Sequence, residues 1–236
     1  MSEVGASAMI LAAGLGYRMR PLTNTRPKPL VEVGGKPLIQ FGFDRLTAAG
    51  IKKAVINVHY HAEQIEAWAK RQNGLMIEIS NERDELLDTG GGVAKALPRL
   101  GSAPFFVLNS DSFWIDGAEP ALARLRNAWN DRIMDCLLLL CPKERALGYD
   151  GSGDFVLNDD GRARRPAAGE EALVYIGAYV IHPRLFAGAP SGKFSMNLLW
   201  DQALQNGRLF GISHTGRWIH VGTPEAVGNA EKALAE

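Results

Sequence analysis

Two glycines, an arginine and a lysine near the N-terminus have the types and the spacing that phosphate binding requires. Gly14 and Gly16 follow an apolar run and lack side chains, so backbone N–H groups can approach a phosphate closely there. Arg18 adds a fork-shaped donor suited to phosphate oxygens. Lys28 lies between two prolines, on a stiff segment that fixes its backbone and directs a point charge. Together these residues predict a site for a phosphorylated ligand.

The glycine pattern differs from two common nucleotide-binding motifs. A dinucleotide fingerprint requires a third glycine and a regular helix after it, whereas Pro21 interrupts this segment. A P-loop requires Gly-Lys followed by Ser or Thr, which this segment lacks. The spacing therefore argues against a nicotinamide-dependent dehydrogenase.

Two later segments could complete a ligand site. Thr89, Gly90 and Gly91 precede a segment with helical periodicity, and glycines at a helix N-terminus leave N–H groups open to a ligand. A flexible loop is the alternative for that segment. Asn109 and Asp111 follow a short apolar run, and a carboxylate at the carboxyl end of a buried parallel strand lies where open α/β sheets bind ligands.

Short apolar runs alternate with amphipathic segments and supply the elements that must position these residues. Residues 9–11, 54–56, 105–108 and 137–140 are typical of strands buried on both faces. Ile39, Phe43 and Leu46 form an apolar stripe at helical spacing. This alternation predicts an α/β fold, a Rossmann-like and mostly parallel sheet with helices on both faces. Turn residues after Tyr149 predict a hairpin or lid, so we expect one domain, 1–236, with a substrate-side insertion around 142–180.

Composition narrows the class of partner and the compartment. The chain has 26 basic and 26 acidic residues and a formal net charge of zero, which gives no support to a nucleic-acid or membrane partner. Cys136 and Cys141 have no spacing typical of a zinc site or a disulfide framework, so reduced thiols are expected. Because the N-terminal apolar stretch is too short for a signal peptide or a membrane span, we expect a cytoplasmic protein.

Read as one string, the glycine segment resembles a known signature. The signature of the sugar-1-phosphate nucleotidyltransferases is similar to the string LAAGLGYRMRPLT followed by RPKPLVEVGGKPLI. Further family motifs match residues 89–92, 109–111 and 218–225. The resemblance covers nearly all of the chain. It implies a glycosyltransferase-A-like nucleotidyltransferase fold and an enzyme that joins a nucleoside triphosphate to a sugar 1-phosphate and releases pyrophosphate.

The resemblance also implies roles for individual residues. Lys28 would lie by the α-phosphate, Arg18 by the departing pyrophosphate, and Asp111 would hold Mg²⁺, which makes these three the expected catalytic residues. The implied nucleotide contacts are Leu11, Ala12, Ala13, Gly14, Gly16, Lys28, Thr89, Gly90, Gly91 and Asn109. The implied sugar contacts are Gly153, Glu171, Tyr175 and Gly177.

The chain departs from the family pattern at two positions. Ser110 replaces the usual glycine, and His220 stands where an Asp usually completes the metal site. Mg²⁺ prefers oxygen ligands, whereas imidazole suits Mn²⁺ or Zn²⁺ better. His220 could bind a metal weakly, contact a phosphate when protonated, or fill space. Mg²⁺ is the expected cofactor, with Mn²⁺ as the alternative.

Within the family, the chain is similar to the compact N-acetylmuramate 1-phosphate uridylyltransferases of peptidoglycan recycling, which share its short length and the segment 88–92. We therefore expect UTP and N-acetyl-α-muramate 1-phosphate as substrates, with GTP and mannose 1-phosphate as the alternative. The lactyl carboxylate of muramate requires a cation or backbone donors. Arginines near the predicted lid could supply that cation: Arg145, Arg162, Arg164 and Arg165.

A hypothesis from another class is a regulatory subunit that binds nucleotide-sugars without turnover, and His220 is its best support. Retention of Arg18, Lys28 and Asp111 together counts against it, because binding alone does not require an arginine for the leaving group. We expect a monomer or a small homo-oligomer.

Overall fold

The structure, a computed structural model, describes residues 3–235 as alternating strands and helices. The strands are β1 (Ser7–Leu11), β2 (Glu32–Val33), β3 (Lys36–Pro37), β4 (Lys53–Val58), β5 (Met76–Asn81), β6 (Phe105–Asn109), β7 (Ser112–Ile115), β8 (Cys136–Cys141), β9 (Ala146–Leu147), β10 (Val156–Leu157), β11 (Ala163–Arg164), β12 (Val174–Ile181), β13 (Leu209–Ser213) and β14 (Arg217–His220). The helices are α1 (Leu38–Ala48), α2 (Ala62–Ala69), α3 (Asp88–Leu100), α4 (Ala121–Ala128), α5 (Asn197–Gln205) and α6 (Pro224–Ala235). Short 3-10 helices cover Tyr17–Met19, Leu22–Asn24, Lys28–Leu30, Lys143–Arg145 and Pro183–Phe186.

Seven strands form the central sheet, in the order β13-β8-β12-β6-β1-β4-β5. Strand β12 runs antiparallel to both of its neighbours, and every other pair in this sheet is parallel. The prediction of a mostly parallel sheet is confirmed. Strand β5 was not predicted, because Glu78 and Ser80 interrupt its apolar pattern and Met76 is exposed at the sheet edge.

Helices cover both faces of the sheet, as predicted. On one face, α1, α2 and α4 pack apolar residues such as Phe43, Ile65 and Leu125 against the strands. On the other face, α3 and α5 contribute side chains such as Val93 and Leu199. The buried apolar surface on both faces fixes the strand positions and therefore the loops at their carboxyl ends.

A smaller sheet and a hairpin lie beside the main sheet. The order β7-β14-β9 defines the smaller sheet, and α6 packs near it around Phe113 and Ile219. Strands β10 and β11 form an antiparallel hairpin, which a hydrogen bond from Gly211 N to Gly161 O ties to β13. The residues 142–180 predicted as an insertion include most of β12, a central strand. Their role as a lid stays a prediction.

The structure also tests the expectations for the two cysteines and for membrane-spanning helices. Cys136 and Cys141, at the two ends of β8, are free thiols without solvent exposure. Within residues 3–235, every helix is too short or too polar to cross a membrane.

Candidate active site

Three adjoining cavities open at the edge of the sheet where β1 and β6 end. The first has a volume of about 540 Å³, the second about 390 Å³ and the third about 250 Å³. Asn109, the last residue of β6, lines all three. Because β12 runs antiparallel to β6, its amino-terminal half reaches the same edge, and Tyr175 also lines the second and third cavities.

The loop after β1 forms one wall of the first cavity. Gly14 lines the cavity, and a Cβ added there would meet nothing within 4 Å, so the backbone faces open space. Gly16 has a φ of 63°, and a Cβ there would lie 3.1 Å from the Cβ of Lys28. The Thr23 hydroxyl donates to Gly16 O at 2.9 Å and helps hold this conformation. Glycine at position 16 thus permits both the left-handed turn and the close approach of Lys28.

Lys28 and Asp111 form an ion pair at the junction of the first and second cavities. Lys28 Nζ lies 3.1 Å from Asp111 Oδ2, although the residues are 83 positions apart. Burial would raise the pKa of Asp111, but the opposing attraction of Lys28 and His220 lowers it below its usual value. Arg18 lines both cavities as well. The structure thus brings the three expected catalytic residues to one place.

His220 lies next to this ion pair. It ends β14, pairs with Ser112 of β7, and its ring lies 5.4 Å from that of Trp218. Burial lowers its pKa below the usual value, against the attraction of Asp111, and so favours the neutral imidazole. Its Nδ1 is buried and has no hydrogen-bond partner among residues 3–235. The position of His220 beside Asp111 and its unpartnered nitrogen are compatible with a role as a ligand of a metal or a phosphate.

The glycine segment of α3 is packed differently from the prediction. Helix α3 begins at Asp88, so Gly90 and Gly91 lie inside its first turn, and their N–H groups donate to Phe194 O at 2.9 and 3.1 Å. A side chain on Gly90 would overlap the Phe194 ring, and one on Gly91 would overlap Gly192 O. These glycines therefore serve close packing, and their N–H groups are occupied. Thr89 is the predicted residue of this segment that lines the first cavity.

Part of the predicted sugar site lines the second and third cavities. Tyr175 and Gly177 line the second cavity. Gly153 and Glu171 line none of the three: Gly153 packs against Ala172 O, and Glu171 is exposed. The sequence prediction placed these two residues by resemblance alone, and Gly151 and Asp154, on either side of Gly153, line the second and third cavities instead.

Among the four candidate lid arginines, Arg165 alone lines one of these cavities, the third. Its Nε and Nη2 donate to Asp201 Oδ1 at 3.2 and 2.8 Å, and Nη2 also donates to Asn197 Oδ1. None of its hydrogen bonds to residues 3–235 uses Nη1. The other three are engaged elsewhere: Arg145 with Thr215 O, Arg162 with Gly207 O and Asp160, and Arg164 with Glu170.

The sequence reasoning missed Asn57, which lines the first cavity from β4. Its side chain is almost wholly buried, and its Oδ1 accepts the Ala12 N–H at 2.7 Å. An asparagine inside an otherwise apolar strand was the available signal, because buried amides are retained where they have partners.

Residues 3–235 contain no group of three or more His, Cys, Asp and Glu side chains that could enclose a metal. Mg²⁺ in phosphate-transfer sites is commonly held by one or two carboxylates together with substrate phosphates. Asp111, with His220 beside it, fits that kind of open site.

The open, mostly parallel sheet, with cavities at the carboxyl ends of β1 and β6, defines an α/β protein of the kind that binds ligands at this edge. The nucleotidyl transferase family model matches residues 7–236, and the chain belongs to this family. It is 47% identical to the N-acetylmuramate alpha-1-phosphate uridylyltransferase of Caulobacter vibrioides, over 100% of both chains. It is 38% identical to the protein of the same name from Neisseria meningitidis serogroup B, over 92% of this chain and 93% of that one.

Solved structures agree on the fold. A UDP-glucose pyrophosphorylase complexed with UDP-glucose superposes with a TM-score of 0.80 at 17% identity, covering 100% of this chain and 99% of that one. The inositol-1-phosphate CTP transferase from T. maritima gives a TM-score of 0.79 at 16% identity, covering 100% and 98%. The predicted nucleotidyltransferase fold is confirmed.

Proposed function

We propose that the protein transfers the uridylyl group of UTP to N-acetyl-α-muramate 1-phosphate, forming UDP-N-acetylmuramate and pyrophosphate. The observation that carries the chemistry is the Lys28–Asp111 ion pair, with Arg18 beside it, at the junction of two cavities. The full-length similarity to two uridylyltransferases of that substrate supports the choice of base and sugar. A role in peptidoglycan recycling in the cytoplasm goes with this proposal and stays a prediction.

In the proposed reaction, a phosphate oxygen of the sugar 1-phosphate attacks the α-phosphorus of UTP, and the bond to the β-phosphate oxygen breaks. The nucleophile is already ionised at neutral pH and requires no general base. The task of the protein is to reduce repulsion between two anions and to stabilise charge on the leaving pyrophosphate. Lys28 would exchange Asp111 for phosphate oxygens near the α-phosphorus, and Arg18 would bind the pyrophosphate.

The family resemblance implies a divalent cation, and Asp111 is the residue that would hold it, with His220 as a second candidate. When bound, such a cation supplies Lewis-acid charge neutralisation at the phosphates. The ionised state of Asp111, which its lowered pKa maintains, suits this role. Mg²⁺ is the proposed ion, with Mn²⁺ as the alternative because it accepts imidazole more readily.

Muramate differs from glucosamine by a lactyl ether that ends in a carboxylate. Arg165 is the candidate for that carboxylate, since it lines the third cavity and its Nη1 is unused by the bonds that anchor it. Its contacts with Asp201 and Asn197 place the guanidinium beside the third cavity and leave Nη1 to a ligand carboxylate.

The test is a pyrophosphate-release assay with UTP or GTP and with the 1-phosphates of N-acetylmuramate, N-acetylglucosamine and mannose. The proposal expects the highest kcat/KM for UTP with N-acetylmuramate 1-phosphate. A preference for GTP with mannose 1-phosphate would show that the proposed substrates are wrong and that the proposed type of reaction is right. Nucleotide-sugar binding without turnover of any pair would favour the regulatory subunit instead.

A further inference from the structure

Behind the first cavity, a buried chain of hydrogen bonds joins two of its walls. The Ala12 N–H donates to Asn57 Oδ1 at 2.7 Å, and Asn57 Nδ2 donates to Glu82 Oε1 at 2.8 Å. The other carboxylate oxygen, Glu82 Oε2, accepts the Leu87 N–H at 3.1 Å. Ala12 begins the loop after β1 that lines the first cavity, and Leu87 directly precedes helix α3. We call these four residues the Asn57–Glu82 bridge.

The acid at its centre is unusual for its surroundings. Glu82 has 0% of its surface exposed and lines none of the three cavities described above. Among residues 3–235 it has no Lys, Arg or His ion-pair partner, and its side-chain oxygens accept from an amide and a backbone N–H. A buried carboxylate without a cation is costly, so such an arrangement persists where two donors require two acceptors.

Gly92 shows how tightly the bridge is enclosed. A Cβ at this position would lie 2.9 Å from both Asn57 Nδ2 and Glu82 Oε1. The third glycine of the segment in α3 thus leaves room for the bridge. Because Gly92 is buried behind the cavity, its missing side chain serves this packing and does not serve ligand contact.

We infer that the Asn57–Glu82 bridge positions the nucleotide, by holding the Ala12 backbone and the start of α3 at a fixed separation. Asn57 and Glu82 are positioning residues: Asn57 borders the first cavity, and Glu82 acts only through its neighbours. This inference rests on the proposed function insofar as the first cavity binds the triphosphate.

The polarity of the bridge provides a sharp test. In Glu82→Gln, the amide offers one acceptor where two are needed, so one donor faces another donor. In Asn57→Asp, two carboxylates face each other. In the double variant, the new carboxylate at position 57 would accept from the Ala12 N–H and from the new amide at position 82. The oxygen of that amide would accept from the Leu87 N–H. All three hydrogen bonds are then restored with the original net charge, and the middle one runs in the opposite direction.

The measurements are Tm, the Kd for UTP and for GTP by calorimetry without sugar phosphate, and steady-state kinetics. For Glu82→Gln we expect the nucleotide Kd and KM to rise about tenfold, on the scale of one unsatisfied buried group. Its kcat and its KM for the sugar phosphate should change less than twofold. The double variant should exceed both single variants in Tm and in nucleotide affinity. Glu78→Gln, the same substitution on β5 at a part-exposed residue outside the bridge, is the matched control and should keep wild-type nucleotide affinity.

A double variant no better than the weaker single variant would overturn the inference. So would a Glu82→Gln variant with reduced Tm and unchanged nucleotide affinity, which would assign the bridge to stability alone. If the single variants fail to fold, a folded double variant that binds UTP with near wild-type Kd supports the inference, and a double variant that is unfolded or binds UTP weakly refutes it. Because binding is measured without turnover, loss of the proposed reaction in wild type is a separate result.

Discussion

The proposed nucleotide side and the proposed sugar side of the candidate site are built in different ways. Around the first cavity, the walls come from the loop after β1, Lys28 and the start of α3, joined behind by fully buried hydrogen bonds. Around the third cavity, polar side chains such as Arg165 and Asp201 make exposed contacts between the hairpin region and α5. Buried networks hold one geometry, whereas exposed ion pairs contribute little stability. We therefore call the side of the first cavity the fixed half and the side of the third cavity, where the polar contacts are exposed, the adaptable half.

Loss of the Lys28–Asp111 ion pair, at the junction of the first and second cavities, should have the largest effect. We expect Lys28→Ala and Asp111→Ala each to lower kcat by at least about a hundredfold, the scale of one lost electrostatic stabiliser. Lys36→Ala, which removes an exposed ion pair with Asp44, is the matched control and should retain activity. Wild-type kcat in a folded variant of either junction residue would contradict the proposed mechanism.

Two glycines on the fixed half should separate stability from binding. Gly91→Ala places a methyl group against Gly192 O, so we expect a loss of about 1–3 kcal/mol in unfolding free energy. Gly14→Ala meets open space and should keep its Tm, while its methyl group obstructs the nucleotide cavity and raises the KM for UTP. Thermal unfolding and kinetics on both variants check this, and equal Tm losses would refute the distinction.

On the adaptable half, substitution of Arg165 should alter which sugar 1-phosphate the enzyme prefers. We expect Arg165→Ala to lower kcat/KM for N-acetylmuramate 1-phosphate by about tenfold, the scale of one charge-assisted hydrogen bond. Activity with N-acetylglucosamine 1-phosphate, which lacks the lactyl carboxylate, should remain. Arg164→Ala, which removes an exposed pair with Glu170, is the control. Equal losses on both substrates would remove Arg165 from sugar selection.

The smallest expected effect is at His220. If it stands in for an oxygen ligand, His220→Asp should lower the Mg²⁺ concentration for half-maximal activity severalfold and reduce any preference for Mn²⁺. Titrations of wild type and variant with both metals measure this. Coinciding curves would place His220 outside the metal shell.

The parts of the molecule that depend on local pattern were predictable. Apolar runs such as 105–108 indicated the strands, and the stripe of Ile39, Phe43 and Leu46 indicated α1, because burial on a sheet face selects these periods. The loop after β1 was recognisable as a candidate phosphate site because Gly14, Gly16 and Arg18 are close in sequence.

Contacts between distant segments were beyond the sequence pattern. Asn57 and Glu82 are 25 positions apart, and their pairing follows from the adjacency of β4 and β5, of which β5 was unpredicted. The packing of Gly90 against Phe194 likewise depends on a segment more than a hundred positions later. Arg165 could be distinguished from Arg164 only when the hairpin was in place.

The reactivity of the two thiols of β8 can measure how often the core around this strand opens. Burial raises the pKa of Cys136 well above its usual range and that of Cys141 to about 11, so neither presents a reactive thiolate in the closed sheet. The two side chains lie on opposite faces of the sheet, so alkylation requires the packing over β8 to open, beside Trp200 for Cys136 and beside Trp218 for Cys141. The rate at which a thiol reagent consumes these cysteines reports how often that packing opens. Comparing this rate with UTP alone and with sugar phosphate alone reveals which substrate holds it shut.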